Sequence, residues 1–154
     1  MIEPPRVAEI PAQATAVIHL TVPAAEIREV MGPGISEVLA AVAAQGLRTA
    51  GAWFTHHFRH PTDVFDFEVG IPVVGTIAAI GRVRPGRLPA ARVARTVHVG
   101  DYEGLVDAWG ELEAWIAANG HEPAAELWEH YALGPESGQA PEAWRTELVR
   151  PLLR

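Results

Sequence analysis

The sequence has no cysteine, few basic residues and no long apolar run, and each absence excludes a class of protein. Without cysteine the chain forms neither disulfides nor cysteine-ligated zinc sites. Its 12 Lys and Arg residues are outnumbered by 19 Asp and Glu residues, whereas a nucleic-acid-binding surface needs the opposite balance. No apolar stretch reaches the roughly 18 residues of a membrane-spanning helix. We therefore expect a protein that binds neither nucleic acid nor membrane.

Several functional motifs are missing as well. There is no phosphate-binding Gly-x-x-x-x-Gly-Lys, no dinucleotide fingerprint and no Gly-x-Ser-x-Gly. His56, His57 and His60 lie close together, but neighbouring residues on a strand point to opposite faces, so we predict no metal site and no cofactor. Residues 1–11 do not read as a secretory signal, and together with the lack of cysteine this favours a cytoplasmic location.

The sequence does contain an internal repeat. Two segments have the apolar spacing of a helix with one buried stripe, at Ile35, Val38, Leu39 and Val42 and again at Leu105, Ala108, Trp109, Leu112 and Ile116. Pro33 suits the first turn of the first helix, and Asp101 suits the N-cap of the second. Gly46 and Gly120 suit the C-terminal caps.

Strand-like segments surround both helices in the same order. One precedes each helix and two follow it, at residues 14–22, 47–58 and 65–72 in the first copy and 88–99, 121–133 and 144–151 in the second. We therefore predict a single α+β domain over residues 1–154, with repeat one at 12–73, a linker at 74–87 and repeat two at 88–154. Two β-α-β-β units with pseudo-twofold symmetry would form an antiparallel sheet with two helices on one face and a cleft between the repeats.

Three runs in the second copy resemble the GyrI-like family of small-molecule-binding domains: TVHVGDY at 96–102, WEHY at 128–131 and WRTEL at 144–148. This family also supplies the effector-binding domains of AraC-type and MerR-type multidrug regulators. The resemblance implies an aromatic cleft with a buried acidic residue that favours lipophilic cations, and Glu147 matches that residue. The resemblance also implies a second candidate activity, the hydrolysis of cyclopropanoid alkylators, which some stand-alone members of the family perform. Nothing before Ala14 is long enough for a helix-turn-helix, so we do not expect direct transcriptional control.

Glu68 and Glu147 occupy equivalent strand positions in the two copies. Two glutamates facing one cavity could act as a binding carboxylate and a general base. The alternative is a solvated strand glutamate, with Glu147 paired to Arg145. Glu129 and Tyr131 share another strand face and form a second candidate acid-base or binding pair, unless Tyr131 is a core aromatic.

Further aromatic and histidine side chains are candidates for lining the cleft. Trp53 is matched to Trp128 across the repeat, and His56 to Tyr131, while tryptophan faces attract cations. Tyr102 and Trp144 complete the set. We expect Trp109, in the helix stripe, to be a core residue.

Three functions fit these residues. The first is binding of amphipathic, often cationic aromatic compounds, for sequestration or sensing. The second is hydrolysis of an electrophile by Glu147 with Glu68 or Glu129, and Tyr131 or Tyr102 as proton donor. The third is a gyrase-modulating or regulator-docking interaction module. The sequence is compatible with a monomer and with a homodimer.

Overall fold

The computed structural model describes residues 2–59 and 62–153, so His60 lies outside the described residues. The elements are, in chain order, β1 (Arg6–Ile10), β2 (Gln13–Pro23), α1 (Ile27–Ala44), β3 (Phe54–His57), β4 (Val64–Pro72), β5 (Arg84–Leu88), β6 (Ala91–Val99), α2 (Leu105–Ala118), β7 (Leu127–Leu133) and β8 (Arg145–Pro151). The chain divides into a first unit, residues 11–90, and a second unit, residues 1–10 and 91–154.

Each unit is a four-stranded antiparallel sheet with one helix packed on it, which confirms the predicted α+β class and the duplication. In the first unit β3 pairs with β4, β4 with β2 and β2 with β5. In the second unit β7 pairs with β8, β8 with β6 and β6 with β1. The strands β1 and β5 therefore occupy equivalent edges. β1 was left outside both repeats by the sequence, and β5 lies in the predicted linker.

The two helices end in the same way, as the cap glycines predict. Gly46 and Gly120 have φ angles of 67° and 74°, in the left-handed region that glycine adopts without a Cβ clash. The amide of Leu47 donates to the carbonyl of Val42 at 3.1 Å, and that of His121 to Ile116 at 3.0 Å. This pattern is the Schellman motif, which satisfies carbonyls at the end of a helix.

The first helix begins earlier than predicted, at Ile27. Pro33 therefore lies inside α1 and not in its first turn. Ile27, Val30 and Met31 precede the proline and pack against the core of the first unit, which favours a helix that extends back to them. Gly32 has no Cβ to meet the proline ring, so a helical conformation before proline is less strained here. Gly34 brings α1 close to the sheet: a Cβ built on it would lie 3.0 Å from Cγ1 of Val69.

The second helix begins at Leu105, with Gly104 at its N-cap position, so the predicted cap Asp101 acts one turn earlier. The carboxylate of Asp101 accepts from the amide of Gly104 at 3.3 Å and caps a 3₁₀ turn at Tyr102–Gly104 that leads into α2. The buried stripe of α2, formed by Ala108, Leu112 and Ile116, packs with Ala94 of β6 and Leu148 of β8. No helix in residues 2–59 or 62–153 has the length and apolar character needed to cross a membrane.

Strand registers correct one part of the predicted repeat alignment. His56 lies opposite Glu68, and His130 lies opposite Glu147. Glu68 and Glu147 are therefore equivalent, as predicted, but His56 corresponds to His130 and not to Tyr131. By the same register Trp128 corresponds to Phe54 and not to Trp53. Matching tryptophan to tryptophan shifted the alignment by one residue, and a one-residue shift exchanges the two faces of a strand.

Candidate functional site

Glu129 on β7 is the centre of a hydrogen-bonded cluster in the second unit. Its Oε2 accepts from the indole Nε1 of Trp109 at 2.6 Å, and its Oε1 accepts from the hydroxyl of Tyr131 at 2.7 Å. Both carboxylate oxygens are thus held by donors of fixed position. Hydrogen bonds to an ionised group are stronger than neutral ones, so this arrangement fixes the side chain of Glu129.

The local structure explains why these three side chains meet. Glu129 lies opposite Leu148 in the sheet, and directly opposed residues point to the same face. Leu148 packs against α2, so Glu129 and Tyr131, two residues apart, both point to the helix side. Trp109 comes from α2. We predicted Trp109 as a core residue, and its ring does pack against the core, but its indole N–H also serves the site. A half-buried indole donor needs an acceptor, and Glu129 provides it here.

The environment of Glu129 disfavours its negative charge. Burial raises the pKa of Glu129, while the hydrogen bonds from Trp109 and Tyr131 and the proximity of His98 act in the opposite direction. The residue as a whole keeps partial exposure, although its carboxylate lies in a strongly desolvated position. A carboxylate in such a place is stabilised by an incoming positive charge.

Two further aromatic rings extend the cluster. Tyr102, in the 3₁₀ turn before α2, meets Tyr131 edge to face with ring centroids 5.7 Å apart. Trp144, just before β8, lies against Tyr102 at 5.1 Å. We call Glu129, Trp109, Tyr131, Tyr102 and Trp144 the aromatic-acid cluster. Four of its members, all except Trp109, were predicted site residues, and the structure brings them together.

Glu147 does not join this cluster. It neighbours Leu148 on β8, so its side chain points to the sheet face away from α2. There it forms an ion pair with Arg95. The predicted alternative partner, Arg145, instead binds Glu3 at 2.6 Å. Glu147 therefore lies on the opposite face of the sheet from Glu129.

Glu68 has the equivalent position in the first unit. Its neighbours Phe67 and Val69 pack in the core beneath α1, so Glu68 points away from that helix. The Nδ1 of His56 lies 4.0 Å from its Oε1. Burial raises the pKa of Glu68, and His56 and His19 oppose the shift. This is a second perturbed carboxylate, with His56 and His19 close to it.

Two further predicted residues, Trp53 and Trp128, are packed inside the protein to different extents. Trp53 is half-buried and packs against the core of the first unit. Trp128 is almost completely buried, at 1% exposure, and as the strand neighbour of Glu129 it points away from α2. Across the part of the chain that the structure describes, no three His, Asp or Glu side chains are grouped so as to hold a metal ion.

The family comparison agrees with the resemblance seen in the sequence. The family described as the GyrI-like small molecule binding domain matches residues 3–153, almost the whole chain. No curated protein matches the sequence.

Solved structures show the same fold at low sequence identity. The EcmrR C-terminal domain is 22% identical, with a TM-score of 0.86 and 98% of each chain covered. The chain spans 57% of the longer EcmrR chain in its DNA complex. SAV2435 bound to tetraphenylphosphonium is 10% identical, with a TM-score of 0.66 over 97% of this chain and 94% of that one. A hydrolase from Listeria innocua is 14% identical, with a TM-score of 0.68 over 96% and 91%.

Proposed function

Because the chain belongs to the GyrI-like small-molecule-binding domain family, we propose that it binds amphipathic, cationic aromatic compounds at the aromatic-acid cluster. The observation that carries this proposal is the carboxylate of Glu129, enclosed by Trp109 and Tyr131 and raised in pKa by burial. His98 lies near Glu129, but no salt bridge described among residues 2–59 and 62–153 reaches this carboxylate, so a ligand cation would supply its counter-charge.

The chemistry of the cluster favours a delocalised or shielded cation. Aromatic faces attract cations, and the attraction is stronger where water is excluded. A strongly hydrated ammonium loses more hydration energy on entry than a lipophilic cation does. The binding of tetraphenylphosphonium by SAV2435, which shares the fold, supports this class of ligand.

The biological role that follows from this binding is sequestration or sensing of such compounds in the cytoplasm. The predicted cleft between the repeats and the contributions of Glu147, Glu68, Trp53, Trp128 and His56 stay predictions. The proposal does not depend on them.

Two matched variants test the proposal. Titration calorimetry with tetraphenylphosphonium compares wild type with Glu129→Gln and Glu147→Gln, each of which removes one negative charge. We expect Glu129→Gln to weaken binding at least about tenfold, equivalent to about 1.4 kcal/mol, because a buried charge pair is lost. Glu147→Gln should have little effect, because Glu147 lies on the other face of the sheet beside Arg95. The reverse order of effects would refute the proposal.

Hydrolysis is the second candidate function, and the hydrogen-bonded pair of Glu129 and Tyr131 favours it. Glu129 would take a proton from water, whose oxygen attacks a strained ring carbon. The ring C–C bond would break, its electron pair would pass to a conjugated carbonyl oxygen, and a tyrosine would protonate that oxygen. The similarity of fold to a protein described as a hydrolase from Listeria innocua supports this candidate. Incubation with a cyclopropanoid alkylator, followed by mass spectrometry, should give a product heavier by one water with wild type and not with Glu129→Gln. The third hypothesis, an interaction module, stays a prediction.

A further inference from the structure

The hydroxyl of Tyr102 is buried in the aromatic-acid cluster and has no hydrogen-bond partner within residues 2–59 and 62–153. Its ring contacts Tyr131 and Trp144, so the hydroxyl belongs to the same site as Glu129. A buried hydroxyl without a partner is costly, and such a group in a native structure calls for an explanation. The cost is removed when a ligand provides the missing partner.

This hydroxyl is a permanent donor. Burial and the negative charges of Glu136 and Glu129 raise the pKa of Tyr102 to about 12, so the phenol keeps its proton at any physiological pH. The same two carboxylates restrict what can approach it. An anionic acceptor would be repelled from both sides, whereas a neutral oxygen would not. The position therefore suits a neutral acceptor.

We infer that the ligand carries a neutral hydrogen-bond acceptor, a carbonyl or ether oxygen, beside its cationic aromatic part, and that the Tyr102 hydroxyl donates to this oxygen. This inference rests on the proposed cation-binding function and specifies its ligand further. Glu129 selects for the positive charge, and Tyr102 selects for the oxygen. A cation with only hydrocarbon substituents would leave the hydroxyl unsatisfied and would bind less well.

The segment at residues 134–144 covers the hydroxyl. A Cβ built on Gly134 would lie 2.5 Å from the Tyr102 hydroxyl oxygen and 3.0 Å from Oε2 of Glu136, so a larger residue there would have to displace the hydroxyl. The segment holds itself together: Ser137 bonds the carbonyl of Gly134, and the indole of Trp144 bonds the carbonyl of Gln139. Residues 135–142 are exposed.

This construction allows the ligand to reach Tyr102. The segment follows a register shift between Tyr131 and Leu133, where the pairing of β7 with β8 is already irregular. The hydrogen bonds of residues 135–143 that the structure describes join members of the segment to one another, while the carbonyl of Trp144 accepts from the amide of Gly100 at 2.9 Å. Residues 134–143 can therefore shift about the anchored Trp144 without breaking the sheet ladder, and this movement would uncover the hydroxyl.

Three phosphonium cations of nearly one shape test the inference. They are tetraphenylphosphonium ions in which one ring carries a 4-acetyl, a 4-isopropenyl or a 4-carboxylate group. Unsubstituted tetraphenylphosphonium is the reference. With wild type we expect the acetyl compound to bind about three- to tenfold more tightly than the isopropenyl compound, the range of one neutral hydrogen bond. The carboxylate compound should bind more weakly than the acetyl compound.

Three variants separate the possible causes. Tyr102→Phe should abolish the preference for acetyl over isopropenyl, which is measured as a ratio of the two affinities within that one variant. Tyr131→Phe, the matched control, should weaken all of the cations alike, because it removes a donor that holds Glu129. Glu136→Gln, at an exposed position, should improve binding of the carboxylate compound relative to the acetyl compound, and it provides a test even if Tyr102→Phe does not fold.

The outcomes distinguish this inference from the proposed function. If no phosphonium binds to wild type, both fail. If the cations bind and depend on Glu129, but the oxygen brings no advantage or its advantage persists in Tyr102→Phe, the inference is overturned and the cation-binding proposal stands.

Discussion

At the scale of single residues, the difference between Glu129 and Glu147 is one of surroundings. Both are strand glutamates of the second unit, yet the indole of Trp109 and the phenol of Tyr131 bind one and an arginine binds the other. The side chain of Glu147 already has its counter-charge in Arg95, so a ligand cation would gain little there. Glu129 accepts from two neutral donors and has a raised pKa. A cation that enters the site would therefore stabilise the ionised form of its carboxyl group.

This difference predicts the pH dependence of ligand binding. The pKa of Glu129 is raised in the ligand-free protein, and a permanent cation binds the ionised form. Affinity should therefore be constant above that pKa and should fall by about tenfold per pH unit below it, with the fall beginning above the pH expected of an ordinary glutamate. Tetraphenylphosphonium is suitable because its own charge does not titrate. A calorimetric series between pH 4 and 8, values spanning the ordinary glutamate range of about 4.3, measures the effect.

The Glu129→Gln variant is the control for this series. Its residual affinity should not vary over the same range. A variant with the same pH profile as wild type would show that another group titrates.

At the scale of elements, strand alternation and helix packing decide which side chains meet. Leu148 belongs to the core beneath α2, and this alone places Glu147 on the opposite face. In the first unit, α1 approaches the sheet closely because Gly34, which has no side chain, faces the fully buried Val69. Gly110 in α2 has open space around it.

Alanine substitutions at these two glycines should have opposite effects on stability. Gly34→Ala should lower the free energy of unfolding by about 1–3 kcal/mol, because the new methyl group overpacks the contact with Val69. Gly110→Ala should raise it by about 0.5–1 kcal/mol through helix propensity. Denaturant unfolding measures both. Stabilisation of Gly34→Ala would show that α1 has room to move away from β4.

At the scale of the whole molecule, the sequence predicted the order of elements, because apolar periodicity and cap residues are local signals. The Schellman caps at Gly46 and Gly120 appear where they were expected, and Asp101 caps the 3₁₀ turn that precedes α2. The pairing of β1 with β6 was not predictable, since it joins residues far apart in the chain. Pro33 inside α1 was missed because contacts of the residues before it override the usual proline preference.

The candidate site was predictable in part. The pair of Glu129 and Tyr131 follows from strand alternation, and Tyr102 and Trp144 were named as ligand-lining residues. Trp109 was not recognised, because the apolar stripe of a helix does not reveal where an indole N–H points. The resemblance assigns the central acid to Glu147, and that assignment stays a prediction. Our proposal uses Glu129 because Trp109 and Tyr131 hold its carboxylate, whereas Glu147 is paired with Arg95.

The central claim is that Glu129 is the counter-charge for a bound cation. Carboxyl-carbon NMR of protein labelled at glutamate Cδ, titrated with and without tetraphenylphosphonium, follows the ionisation of each glutamate separately. We expect the pKa of Glu129 to lie above the ordinary glutamate range in the free protein and to fall on binding. A Glu129 titration that saturating ligand leaves unchanged would show that Glu129 is not the counter-charge.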